Sequence, residues 1–140
     1  MTSPARVESV TSFFAGLGDR DLAPVAAVLA DDVVHVLTHS LSGAPEPQAV
    51  LTGKDEVLGF LRTVLDLFSR TRVEDLEVFE TVGRDVVFAS ARGDFTHAAS
   101  GAPYRNDYLY RFDFTGDRIT WFAEHGNPVA FAKATGAPLG

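Results

Sequence analysis

The sequence predicts an α+β domain, and three patterns carry that reading. Apolar residues recur at helical spacing in the N-terminal part of the chain, long tracts rich in β-branched and aromatic residues follow from about Val73, and Gly, Pro and Asp punctuate those tracts. The resulting order is helix, helix, strand, helix, then an antiparallel meander and a terminal helix. That order places helices on one face of a curved sheet. No repeat, low-complexity tract or linker divides the chain, so residues 1–140 read as a single domain.

Ser3 followed by Pro4 reads as a helix N-cap with proline in the first turn. Val7, Val10, Phe13, Phe14 and Leu17 then form a stripe that Gly18 can end. A second helix is expected from about Asp21, with Pro24 tolerated in its first turn. "DVVHVLTHS", Asp32 to Ser40, is extended and β-branched, and "LSGAPEPQAVLTG" after it reads as a long loop. "KDEVLGFLRTVLDLFSRT" is the third helix, with Asp55 and Glu56 at its N-terminal dipole. Four strand tracts follow: "RVEDLEVFETV", "RDVVFASARGDFTH", "YRNDYLYRFDF" and "DRITWFAEH". The turns "VGRD", "ASGAP" and "TGD" separate them. Asn127 and Pro128 cap a short last helix that Gly136 ends.

Composition narrows the function. A net charge of −7 without any cluster of Lys and Arg argues against nucleic acid and anionic membranes as partners. Cysteine is absent, so disulfides and thiolate metal sites are excluded. The first residues lack the basic start and apolar run of a secretory signal, and no stretch approaches a membrane span, so a cytoplasmic protein is expected. His35 and His39 lie four apart on an extended segment, about 13 Å, too far to share a metal.

The tripeptide Arg92-Gly93-Asp94 matches the cell-adhesion motif as a string, yet it lies inside a turn-bounded strand tract. On a strand, Arg92 and Asp94 share a face with Phe88, Ser90 and Thr96; Val87, Ala89, Ala91, Gly93, Phe95 and His97 share the other. Alternation alone leaves open which face points inward. In the next tract Asn106, Tyr108, Tyr110, Phe112 and Phe114 form an aromatic inner face, opposite the mostly solvated Arg105, Asp107, Leu109, Arg111 and Asp113. Glu124 alternates with Phe122 near the end of a largely apolar last strand, where a carboxylate needs a partner. Arg92 is the candidate for that role. Asn106, Tyr108, Tyr110 and Phe122 are candidate cavity-lining residues, and His35 a candidate water-holder.

The chain resembles the NTF2-like superfamily, a cone of curved sheet and helices around a pocket. The likeness rests on "LADDVVHV" after the second helix, "LTGKDEV" opening the third, and "DRITWFAEHGNPVAF" at the end. Its C-terminal half is similar to limonene-epoxide hydrolases, which carry an Arg-x-Asp on one strand and a second acid on the last. That resemblance implies Asp94 as acid, Glu124 as base and Arg92 as the bridge between them. Where those hydrolases hold water with a Tyr and an Asn, this chain has His35 and Leu37. The ketosteroid-isomerase aspartate would also fall near Leu37, where no acid stands, whereas polyketide cyclases of the SnoaL type fit better. The implied function is cofactor-free acid–base chemistry on a small apolar molecule, epoxide opening or cyclisation, and the resemblance implies a homodimer joined through the outer face of the sheet. The alternative is a non-catalytic small-molecule binder using the same pocket.

Overall fold

The computed structural model describes residues 4–140, so the expected cap at Ser3 lies outside the described residues. Helix α1 (Pro4–Asp19) is followed by α2 (Ala23–Val28), which is only six residues long. It is shorter than its apolar pattern suggests because Leu29 is already extended and begins strand β1 (Leu29–Leu37). The loop after β1 contains an unexpected strand, β2 (Ala49–Thr52), paired antiparallel with β1. Four residues at a sheet edge are too few to show periodicity in the sequence.

Helix α3 (Lys54–Leu67) stops four residues before its expected end, and Phe68 opens β3 (Phe68–Glu80). Arg20 marks that boundary: its guanidinium donates to the Leu65 and Phe68 carbonyls and ties α1 to the end of α3. Strands β4 (Val86–His97), β5 (Pro103–Thr115) and β6 (Arg118–His125) complete the meander. In α4 (Pro128–Thr135) the Asn127 side chain accepts from the Val129 and Ala130 amides, and Gly136 ends the helix in a left-handed conformation, as expected.

The sheet order is β2-β1-β6-β5-β4-β3. Every pairing is antiparallel except β1 with β6, so the sheet is mixed. Register shifts in β3 between Glu74 and Glu77, and in β1 between Leu29 and Val34, mark bulges that bend the sheet. Helix α1 packs on β3 and α2, α3 on β1, and α4 on β5.

One end of the resulting cone is filled by rings. Phe13 meets Phe14, Phe112 and Phe122 edge-on at 5.2–5.4 Å between centroids, an arrangement aromatic pairs favour. At the other end Phe68, Phe95 and Tyr104 form a second cluster with Phe131 of α4 against it. The space between the two clusters is not filled by side chains.

Candidate functional site

A cavity of about 300 Å³ occupies that space. Both clusters supply its wall, through Phe14 and Leu61 on one side and Phe68 and Phe95 on the other. Tyr104, Asn106, Tyr108 and Tyr110 line it from β5, with Glu124 from β6 and His39 and Thr38 from the segment after β1. Among its lining residues Glu124 is the sole carboxylate, and none is Lys or Arg.

The expected triad of Arg92, Asp94 and Glu124 does not assemble. Strands β4 and β5 pair Ala89 with Tyr110, Ala91 with Tyr108 and Gly93 with Asn106. Directly opposed residues on antiparallel strands share a face, so the small residues of β4 turn inward beneath the large ones of β5. Arg92 and Asp94 are left on the outer face, opposite Asp107 and Arg105. There Arg92 donates to Asp107 at 3.1 Å and lies 3.8 Å from Asp75. Asp94 is held by Arg70 at 3.0 Å and Arg105 at 3.2 Å. The hydrogen bond from Arg70 is the main cause holding the Asp94 carboxyl below its usual 3.8. Arg92-Gly93-Asp94 is therefore neither an exposed loop tip nor a reaction centre; it is a strand segment in a cross-strand charge ladder.

The partner of Glu124 is His35. Its Nε2 lies 3.2 Å from Glu124 Oε1, and the ring is 1% exposed. A carboxylate only accepts, so Nε2 is the donor; Nδ1 is buried without a partner. Phe122 stacks on the imidazole with centroids 4.0 Å apart, and Phe60 meets it edge-on. His35 thus stands behind Glu124 rather than on the cavity wall. Phe122, also expected to touch substrate, belongs to the filled end of the cone, because Phe13 covers it.

The β5 residues form the polar part of the wall as expected, with an addition. Tyr104, not singled out in the sequence, joins Tyr108 through a hydroxyl–hydroxyl hydrogen bond of 2.8 Å. Asn106 donates to the Tyr104 hydroxyl at 2.8 Å and to the Asn127 carbonyl at 3.0 Å, and its own carbonyl accepts from the Asn127 amide. Burial, followed by the charge of Glu124 across the strand pair, pushes the Tyr110 hydroxyl well above its usual pKa. Burial also raises Tyr104 and Tyr108, so all three phenols stay protonated at neutral pH.

At the rim, Thr38 donates to the Glu124 backbone carbonyl at 2.8 Å and lies 3.0 Å from His125 Nδ1. Burial and then neighbouring His39 lower the His125 pKa. His97 is buried against Phe68, with Nδ1 2.7 Å from Ser100 Oγ. Among the described residues no cluster of His, Asp and Glu is arranged to hold a metal ion, and no helix is long and apolar enough to cross a membrane.

A cone of bent sheet and helices around an apolar cavity is the NTF2-like fold. Residues 10–122 match the SnoaL-like domain family, and the chain belongs to it. Solved structures repeat the fold. A presumed isomerase from Bacillus subtilis superposes with a TM-score of 0.84 at 18% identity, covering 97% of this chain and 96% of that one. An NTF2-like protein of unknown function from Burkholderia pseudomallei gives 0.79 at 22% identity, covering 96% and 100%. A presumed polyketide cyclase from Pseudomonas putida gives 0.76 at 18%, covering 96% and 99%. At these identities the likeness is one of fold. The search among curated proteins found no match.

Proposed function

We propose that the protein is an acid–base enzyme that moves a proton within a small apolar molecule, in an isomerisation or cyclisation, with Glu124 as the base. The observation that carries this reading is the sole carboxylate on an uncharged, largely apolar wall, held from behind by a buried histidine. A carboxylate with few competing polar neighbours is suited to taking a proton from carbon, and its hydrogen bond to His35 fixes its direction. Cyclase and isomerase descriptions among structures of the same fold agree with proton transfer. The epoxide-opening alternative depended on Arg92 bridging two carboxylates; with both Arg92 and Asp94 outside, it loses its acid.

The test follows exchange of α-protons for deuterium, by NMR, across a panel of small apolar ketones. The wild type is expected to accelerate exchange for members that fit the cavity, and Glu124→Gln to lose about 10²–10⁴ of that rate. Ligands that bind without any exchange would make the protein a binder and overturn the proposal. Exchange undiminished in Glu124→Gln would overturn the role of that residue.

A further inference from the structure

The polar groups on the cavity wall are unequally spent. The Asn106 side-chain amide uses both hydrogens, one on the Tyr104 hydroxyl and one on the Asn127 carbonyl. The Tyr108 hydroxyl also donates to Tyr104. The Glu124 carboxylate keeps acceptor sites to spare: His35 bonds to Oε1 alone, and the side chain, 26% exposed, lines the cavity. That histidine brings a hydrogen bond without a compensating charge. A second proton, on Nδ1, would be a buried donor with no acceptor among the described residues. No Lys or Arg lines the cavity either. The carboxylate thus faces the space without a cation, and a negative charge in apolar surroundings attracts one strongly.

The rest of the wall suits a cation too. Five Phe and three Tyr side chains line the space, and the face of an aromatic ring carries negative potential. Tyr108 and Tyr110 make a corner, with ring centroids 6.0 Å apart and planes inclined at 58°. Glu124 is the register partner of Tyr110, so the corner and the carboxylate are neighbours. Two bare backbone positions make room for the Tyr108 ring: a Cβ on Gly93 would come within 2.8 Å of it, and one on Gly126 within 3.1 Å. Burial is the main cause raising the hydroxyl pKa of Tyr104, Tyr108 and Tyr110, and the Glu124 charge adds to it in all three. The negative potential of that one carboxylate therefore reaches across the β5 wall. At about 300 Å³ the cavity is at the small end of ligand sites, so its occupant is compact.

We propose that the cavity selects an organic cation: a compact, largely apolar molecule with one positive charge on an alkylated nitrogen, seated against Tyr108 and Tyr110 and paired with Glu124. The alkyl groups of such a nitrogen pack on the rings while its charge meets their faces. A primary ammonium, with three N–H donors to satisfy, fits a wall of rings less well. An anion would meet a like charge and no cationic side chain. The inference stands on the cavity alone, and it extends the proton-transfer reading by giving the substrate a charge. A positive nitrogen beside the reacting carbon makes its C–H more acidic. The charge that Glu124 attracts thus also eases the transfer proposed for it.

Phenyltrimethylammonium and tert-butylbenzene test this without turnover, because they share one shape and differ in charge. In titrations followed by ligand NMR, the wild type is expected to bind the cation. Glu124→Gln is expected to weaken that binding at least about tenfold while holding the neutral probe as well as wild type or better. Tyr108→Leu keeps an apolar side chain but removes the ring. It is expected to weaken the cation at least about threefold and to leave the neutral probe within about twofold. The neutral probe also reports that each variant retains its cavity. A cation that does not bind the wild type, or binds Glu124→Gln undiminished, would overturn the inference even if Glu124-dependent exchange is intact. Cation binding that depends on Glu124, in a protein that exchanges no ketone protons, would keep the inference and sink the proton-transfer reading.

Discussion

Glu124 and Leu37 are register partners on adjacent parallel strands. The place where the ketosteroid-isomerase resemblance puts an acid is thus apolar here, and the strand beside it carries one instead. His35, two residues before Leu37, reaches Glu124 from the same face of β1. His35→Phe would keep the stack on Phe122 and remove only the hydrogen bond. Proton-exchange rates of that variant are expected to fall about tenfold with the protein still folded, as judged by circular dichroism. Gly93 is the second residue whose role changed between sequence and structure. That one face of the strand is bare at Gly93 was legible from alternation; that this face points inward and that Tyr108 lies across it were not, since the ring belongs to another strand. Gly93→Ala is expected to lower stability by about 1–3 kcal/mol in urea titrations, because a rigid ring and not a flexible chain must move.

At the scale of elements, the β4–β5 hairpin decides which residues see substrate. Counting outward from the "ASGAP" turn would have paired Arg92 with Asp107 and Asp94 with Arg105. It would also have set Ala91 beneath Tyr108, small against large. The charge ladder and the size complementarity both name the inner face, so this part of the site was legible from register although not from alternation within one strand. The His35–Glu124 contact was less legible, because a parallel pairing between β1 and β6 spans most of the chain and leaves no turn to count from. The ends of α2 and α3 were misplaced for a related reason: Leu29 and Phe68 are apolar in either state, and sheet pairing settles which they adopt.

The ladder has a consequence for acid stability. The Asp94 carboxyl is lowered below 3.8 in the fold, mainly by Arg70, so the unfolded chain binds its proton first as pH falls. Its stabilisation is present above about pH 4 and lost as pH drops through the lowered folded value. Asp94→Asn is therefore expected to be less stable than wild type at pH 7, with the gap narrowing at pH 3, in paired urea titrations.

Across the whole molecule, the fold divides the chain's aromatic residues between two jobs. Phe13, Phe112 and Phe122 close one end of the cone and are fully buried. Phe13→Ala is expected to cost about 3–5 kcal/mol by thermal or urea unfolding, since four neighbouring rings lose a contact. Phe68, Phe95 and Tyr104 close the other end, and the unfilled interval is the cavity. The outer face of the sheet leaves Leu109 and Phe79 about half exposed beside the charge ladder. We propose that this face joins two copies of the chain, as the superfamily resemblance implies; light scattering showing a monomer at micromolar concentration would rule that out.

The proposed chemistry belongs to the inner face, at Glu124, and not to the outer-face pair Arg92 and Asp94. Deuterium exchange into one ketone accepted by the wild type, compared in Glu124→Gln and Asp94→Asn, tests this directly. Glu124→Gln is expected to lose at least about a hundredfold in rate while Asp94→Asn stays within about twofold of wild type. The reverse order, with exchange lost in Asp94→Asn and retained in Glu124→Gln, would contradict it.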